Sequence, residues 1–267
     1  MDDQQFHQLL KFYSLSWSGY RKVRKGVKKR VRRHMQSLGY DRVTDYIQLL
    51  SEDDDARRQC ERLMSVSISR FFRDFRLWQI FEQHLLPDIL GQHGHLCVWS
   101  AGCASGEEIY SFKIICEQLR SSQFRLPEIE LLATDYNPQC LDRAKVGIYT
   151  AGSLKDVPQK LLGKYFHRLR GDKRFQIDHN LKTGIVWQQH HLLSKPPSAV
   201  HDIIFLRNNL MTYYSSDIKV AALKPILSCL APDGLLIIGA HERLPFRSRE
   251  LKMVTPFSYV FQKKTAL

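Results

Sequence analysis

The chain has no CxxC pair, no uninterrupted run of 18 apolar residues, no internal repeat and no low-complexity segment. Each absence narrows the class of protein. Its six cysteines (Cys60, Cys97, Cys103, Cys116, Cys140 and Cys229) are scattered, which argues against a disulfide framework and a zinc site, so reduced thiols are expected. The opening MDDQQFHQLLKFY lacks the basic start and apolar stretch of an export signal, and no segment reaches membrane-spanning length. The expectation is a cytoplasmic protein with no membrane insertion. Acids are also scarce: 27 Asp and Glu face 40 Lys and Arg, a net charge of +13. That imbalance points to an acidic partner, whether nucleic acid, an anionic membrane or an acidic protein surface, and composition does not choose among them. No GKS/T phosphate loop occurs, nor a Ser-His-Asp set on a strand-turn-helix elbow.

What is present suffices for one large domain and one small one, since 267 residues with 43% apolar content can build a substantial core. Residues 1–65 read as helical, broken at Ser16-Trp17-Ser18-Gly19 and at Ser51 to Asp55. Beyond them strands alternate with helices. Leu96 to Ser100 is a short apolar strand ending in a glycine turn, and Glu107 to Leu119 then carries apolar residues at helical spacing. Ile129 to Thr134, Asp202 to Leu206, Leu235 to Gly239 and Phe257 to Gln262 read as further strands. Helices are expected over Pro138 to Lys145 and Ser216 to Leu230, the latter kinked at Pro225, with a turn at Pro232-Asp233-Gly234. The pattern predicts an α/β, doubly wound, mostly parallel Rossmann-like sheet with ligands at the carboxyl ends of its strands. Residues 1–65 then form a small all-helical domain and 66–267 the larger one, with a β-hairpin insertion at about 165–183 around a strand from Arg174 to Asp178.

Within that frame, Ser100-Ala101-Gly102-Cys103-Ala104-Ser105-Gly106-Glu107-Glu108 lies where the first sheet strand turns into a helix, so Gly102 and Gly106 would let backbone approach a ligand. Asp135 ends the next strand, where nucleotide-binding sheets place an acid that accepts from both ribose hydroxyls. Glu107 and Glu108 at the helix start would repel a pyrophosphate, so the ligand is a nucleoside without phosphates. S-adenosylmethionine fits, its sulfonium suiting nearby carboxylates and aromatic faces. Glu107 also reads as an ordinary first-turn acid favoured by the helix dipole. No ligand cluster accompanies His190-His191, so no metal is expected there. Trp17, Trp78, Trp99 and Trp187 read as core.

The runs Ser67-Ile68-Ser69-Arg70-Phe71-Phe72-Arg73-Asp74, Trp99 to Gly102, Gly106 to Ser111, Arg207-Asn208 and Tyr213-Tyr214 closely resemble the chemotaxis receptor protein-glutamate O-methyltransferase (CheR) family. The likeness extends through Ala144 to Tyr149, Tyr165-Phe166 and Ala231 to Leu236 with Glu242 after it. In the front half Gly19 to Lys22, Lys29 to Met35 and Tyr46 to Leu50 are similar to the family's helical receptor-docking domain. The resemblance implies a class I methyltransferase fold, S-adenosylmethionine as cofactor with S-adenosylhomocysteine as product, and cofactor contacts from Ser67, Ser69, Arg73, Glu108, Asp135, His191, Leu192, Arg207 and Asn208. Ser67 stands where the family typically has Asn, His191 where an Asn precedes the paired leucines, and Leu206 where Cys is common. Asn209 and Thr212 occupy usually apolar positions, which makes this a divergent member.

The implied reaction is attack of a substrate glutamate carboxylate on the donor methyl. A carboxylate with pKa about 4.3 is already ionised, so no general base is needed. Arg73, through its two-pronged donor geometry, and Tyr213, at the end of a strand, are the candidate catalytic residues. The expected partner is the acidic cytoplasmic helices of chemoreceptors, docked on Arg21 to Leu38, where nine of the fourteen residues from Arg21 to His34 are Lys or Arg. On a helical projection Val23, Val27, Val31, Met35 and Leu38 form the apolar stripe opposite those charges. Two alternatives stand beside this reading: a scaffold that binds S-adenosylmethionine without transferring methyl groups, and a nucleic-acid methyltransferase. Intact Arg73, Glu108, Asp135 and Asn208 weigh against the first. The lack of an Asp/Asn-Pro-Pro-aromatic run weighs against the second, so nucleic acid is not the expected partner.

Overall fold

A computed structural model describes residues 1–90, 94–122 and 126–265, so 91–93, 123–125 and 266–267 of the expected larger domain lie outside the described residues. The chain opens with helices α1 (Asp3–Phe12), α2 (Trp17–Tyr20), α3 (Arg24–Ser37), α4 (Val43–Glu52) and α5 (Asp54–Met64). Local chemistry sets their ends. Asp2 and Gln5 form a reciprocal capping box on α1, and Asp53 accepts from the N–H groups of Asp55 and Ala56 to start α5 after the polar break. The expected break at residues 16–19 is instead the short helix α2. Val27, Val31 and Met35 bury one face of α3 as patterned, but Leu38 lies beyond the helix, 42% exposed, and His34 takes the buried place, its Nδ1 2.6 Å from the Tyr46 hydroxyl. These helices share one core with Phe6, Tyr20, Tyr46 and Cys60 at its centre.

An extended loop, 65–74, leads to α6 (Phe75–Ile80), a π-helical turn (Phe81–Leu85) and α7 (Leu86–Leu90). Then comes the alternating part: β1 (His95–Ala101), α8 (Glu107–Ser121), β2 (Glu128–Asp135), α9 (Pro138–Val146), β3 (Ile148–Thr150), α10 (Gln159–Tyr165), β4 (Phe166–Arg168), β5 (Arg174–Ile177), β6 (Ile185–Gln189), β7 (His201–Leu206), α11 (Leu210–Tyr213), α12 (Ser216–Ser228), β8 (Leu230–Ile238), β9 (Leu251–Met253) and β10 (Val260–Lys263). The main sheet runs β6-β2-β1-β7-β8-β10-β9, parallel from β6 to β8 and antiparallel at β10 and β9. Both faces are covered, which is why β1 is apolar at successive positions: Leu96 and Val98 join one core, Trp99 and Ala101 the other.

Several sequence expectations shift here. Pro232-Asp233-Gly234 is not a separate turn but an irregularity inside β8, where His201 pairs with Leu230 and Ile203 with Leu235. Helix α12 contains Pro225 inside its span and ends at Ser228, two residues short of the expected Leu230. The insertion is larger than a hairpin, because β3 joins β5 and β4 in a three-stranded antiparallel sheet, β3-β5-β4. Strands β6 and β9 were not legible, since Trp187-Gln188-Gln189 and Lys252 break the apolar pattern at exposed sheet edges. All six cysteines are free, and among the described residues no helix is long and apolar enough to cross a membrane.

Candidate functional site

The carboxyl ends of β1, β2, β6 and β7 open into one cavity, walled on its other side by the end of α5 and the loop after it. All ten residues singled out from the sequence line it: Ser67, Ser69, Arg73, Glu108, Asp135, His191, Leu192, Arg207, Asn208 and Tyr213. They come from segments up to 146 residues apart (67 to 213), which the parallel crossovers bring to one sheet edge.

Arg207 organises the floor. Its side chain is 3% exposed and donates to Glu108 at 3.0 Å, to Asp74 at 2.8 Å and to the Arg73 carbonyl at 2.9 Å, with its guanidinium 5.7 Å from the centre of the Trp78 ring. The second oxygen of Glu108 accepts from the Ser100 hydroxyl at 2.8 Å. Both charges are therefore paired and hydrogen-bonded, which is the condition under which such groups stay buried. Arg207 Nε remains a buried donor without a partner.

Asp135 accepts the Ala104 N–H on one oxygen and the Asn137 N–H on the other, both at 2.9 Å, leaving a lone pair on each. Burial raises its pKa, against those two hydrogen bonds. Ala104 reaches it from a left-handed backbone, φ +51°, and Asn208, which also lines the cavity, has positive φ as well. Such conformations cost about 1–2 kcal/mol each outside glycine.

The two turn glycines serve differently from the sequence expectation. A Cβ on Gly106 would stand 3.0 Å from Ala144, Trp187 and Tyr110, so that glycine permits internal packing, not ligand approach. Gly102 does face the cavity, but a Cβ there would lie 2.3 Å from Asn209 Nδ2. Asn209 donates to the Ala101 carbonyl at 2.6 Å and caps α11 through Leu210 N–H, so the unexpected amide ties two strand ends together. Glu242, buried beneath, accepts the N–H of Asn208 at 2.9 Å and of Gly239 at 2.6 Å, and the Thr212 hydroxyl.

Tyr213 stands edge-on to Tyr20 at 5.1 Å, in a seam where Ser16 N–H donates to the Tyr213 carbonyl and Leu15 pairs with Tyr214. Burial raises the Tyr213 pKa, and the charge of Arg73 opposes the rise, which places the two candidate catalytic side chains within electrostatic reach. The Arg73 guanidinium donates to the Ile68 carbonyl at 3.3 Å. His191 has both ring nitrogens engaged, Nε2 with Glu61 at 2.9 Å and Nδ1 with the Leu193 N–H at 3.1 Å. Ser67 accepts from the Cys140 thiol at 3.2 Å, while the Ser69 hydroxyl lies near enough to Glu107 to oppose the rise in that carboxyl's pKa. Glu107 is no ordinary surface acid: it is 5% exposed, one oxygen lacks a partner, and burial pushes its pKa up to about 7.

Four residues escaped sequence reading as parts of this site: Glu61, Asp74, Asn209 and Glu242. Glu61 meets His191 across 130 positions, and no local pattern signals such a pair. Trp78 and Trp99 are core as read, whereas Trp187 and Trp17 are partly buried and pack against the sheet core and the helical core, Trp17 also stacking on His7 with 3.9 Å between ring centres. Away from the cavity, at the amino ends of β1 and β2, His95, Cys97 and Glu130 bring ligand-type atoms within 4.8 Å of one another. The cross-strand register assembles that group, which sequence spacing does not reveal.

The donors and acceptors fit a cationic nucleoside with an amino-acid tail. Asp135 offers two acceptor positions for a ribose diol, Arg207 Nε is a buried donor without a partner, and Tyr136, His191 and Tyr213 supply ring surface. Comparison with known proteins agrees. Residues 67–260 match the CheR methyltransferase, SAM binding domain. The chain is 32% identical over 193 residues to the chemotaxis protein methyltransferase of Vibrio anguillarum, covering 72% of this chain and 70% of that one. It is 27% identical over 230 residues to the chemotaxis protein methyltransferase of Borreliella burgdorferi, covering 83% and 80%. An uncharacterized 104.1 kDa protein of Rhodobacter capsulatus is 28% identical over 221 residues, 82% of this chain but 23% of that longer one.

Proposed function

Because this chain belongs to the CheR methyltransferase family, matching its S-adenosylmethionine-binding domain over residues 67–260, we propose that it methylates glutamate side chains of chemoreceptors. Bound S-adenosylmethionine supplies an electrophilic methyl on a positively charged sulfur. Asp135 would accept the ribose hydroxyls, and Ser67, Ser69, Leu192, Asn208 and the Arg207–Glu108 pair would hold the remainder of the cofactor.

The observation that carries the choice of a carboxylate substrate is the state of the cavity's own bases. Glu108 is held by Arg207 and Ser100, Asp135 by two backbone donors, and His191 by Glu61 and Leu193. The unpartnered Nδ1 of His190 is buried, with the ring edge-on to Trp99 at 5.9 Å. An alcohol or amine would need a free base, whereas a carboxylate arrives ionised. Arg73 is left to grip that carboxylate and Tyr213 to close the far wall against water; alignment of this kind is worth roughly 7–11 kcal/mol.

On this reading residues 1–65 dock the receptor and 66–267 carry the chemistry. Lys22, Lys25, Lys29, Arg32 and Arg33 are exposed and make no ion pair among the described residues, whereas Arg24 and Lys28 pair with Asp3. An acidic helix would find those free charges in a row along α3 and the turn before it. The test is transfer of tritiated methyl from S-adenosylmethionine to receptor-bearing membranes, followed by alkali. Release of volatile methanol is the expected result, and alkali-stable label would redirect the chemistry to nitrogen.

A further inference from the structure

The wall of the cavity opposite the sheet comes from the helical region: Glu61 and Met64 of α5 line it, followed by Ser65 and Val66. Glu61 is the charged member, and its hydrogen-bond partner is His191, just past β6, with Nε2 at 2.9 Å. Tyr136, just past β2 and next to Asp135, reaches the same helix through its hydroxyl, 3.5 Å from the Arg58 carbonyl, and the nearby Glu61 charge adds to burial in raising its pKa. The rings of Tyr136 and His191 meet edge-on, centres 4.6 Å apart and planes at 88°. The two loops therefore form one aromatic corner against α5, held by Glu61 at His191 and by the Arg58 carbonyl at Tyr136.

The hydrogen bonds also decide the tautomer. His191 Nδ1 accepts the Leu193 N–H at 3.1 Å, so the ring proton sits on Nε2 and is donated to the Glu61 carboxylate. Without Glu61 the ring would keep one anchor, and Nε2–H would be left half-buried with no acceptor. At a position where the resembled family typically carries Asn, a two-nitrogen ring needs its second nitrogen satisfied, and a carboxylate from another part of the chain does so.

We propose that Glu61 is a positioning residue for cofactor binding: it locks His191 as the Nε2–H tautomer and holds the His191–Tyr136 corner where the base of the nucleoside packs. The corner is in reach of that base because the ribose is attached to it and Asp135, adjacent to Tyr136, takes the ribose. The inference rests on the reading of this cavity as the S-adenosylmethionine site, but not on the identity of the methyl acceptor. It makes the seating of the helical region a condition of tight cofactor binding.

The test uses the full chain, S-adenosylhomocysteine as the probe in calorimetry, and imidazole nitrogen NMR for the tautomer. Glu61→Ala is expected to weaken binding about tenfold, as for one lost hydrogen bond to a charged group, with kcat at saturating cofactor held within about twofold. Glu61→Gln, whose amide oxygen still accepts from Nε2–H, is expected to restore most of the affinity and the wild-type tautomer signal. In a His191→Asn background Glu61→Ala is expected to add little further loss, since the group it positions is gone. Glu61→Ala with affinity within twofold of wild type and an unchanged His191 spectrum overturns the proposal, as does full additivity with His191→Asn. Wild-type protein that binds S-adenosylhomocysteine yet esterifies no receptor removes the substrate reading instead and leaves this inference standing.

Discussion

Replacing Glu107 with Gln should stabilise the protein in alkaline solution and leave it nearly unchanged in mild acid. The side chain opens α8 yet is 5% exposed, and one of its oxygens has no partner. Burial raises its pKa from 4.5 to about 7, while the Ser69 hydroxyl and the charge of Arg143 pull the other way without prevailing. A raised folded pKa means that the native state keeps a proton the unfolded chain has already released. The associated stability is complete below 4.5 and lost as pH climbs through about 7. At about 1.4 kcal/mol per tenfold change in proton affinity, the separation between 4.5 and about 7 is worth about 3 kcal/mol. Glutamine has the same shape and stays neutral. Urea unfolding of both proteins at a series of pH values isolates the group, because Asp135 and every other titrating residue cancels in the difference. The variant should match wild type to within about 1 kcal/mol near pH 5 and exceed it by about 2–3 kcal/mol near pH 8.5, the upper figure assuming no relaxation around the ionised side chain. A difference that stays constant to about 0.5 kcal/mol across that range would refute the buried, proton-retaining description of Glu107.

Four further outcomes are expected from the same geometry. Asp135→Ala, which removes both acceptor oxygens, should weaken S-adenosylhomocysteine binding by about 1.5–3 kcal/mol in calorimetry; unchanged affinity in a folded variant would remove Asp135 from the site. Reversing Lys25, Lys29 and Arg32 to Glu should raise the KM for receptor and abolish most of its salt dependence, with cofactor affinity unaltered. Gly102→Ala should be strongly destabilising because φ is +82° and Asn209 Nδ2 stands 2.3 Å from the new methyl; adding Asn209→Ala should recover the steric part but not the roughly 1–2 kcal/mol of left-handed strain, a non-additivity that melting curves can measure. His201 is buried with neither ring nitrogen partnered, and burial depresses its pKa below 6.5, so wild type should lose stability as pH falls through 6.5 while His201→Phe shows a flatter acid limb.

Much of the catalytic half was legible without coordinates. Short apolar runs such as Leu96 to Ser100 and Asp202 to Leu206, bounded by turn residues, fit strands buried on both faces, and the apolar spacing after Glu107 fits a helix, so the parallel sheet and the position of Asp135 at a strand end could be inferred. Charge on α3 was equally plain, since solvated faces are written directly in residue type. The weaker readings were those in which a local pattern was asked to speak for a distant partner: Gly106 as a ligand glycine, Leu38 on the apolar stripe, Pro232 to Gly234 as a free turn.

Residue types thus determined which groups are available to the cavity and roughly where along each strand or helix they sit, because hydrophobic periodicity and turn chemistry act over a few neighbours. Tertiary structure alone decided how those groups are spent. Whether Glu108 is a free carboxylate or Arg207's partner, whether Glu107 is solvated or sealed, whether Gly102 serves a ligand or Asn209, and whether His191 is locked by Glu61 all turn on contacts made across 99, 130 or similar separations in the chain. Desolvation and hydrogen-bond partnership are properties of the packed neighbourhood, and the local sequence carries no record of a neighbour that arrives from another element.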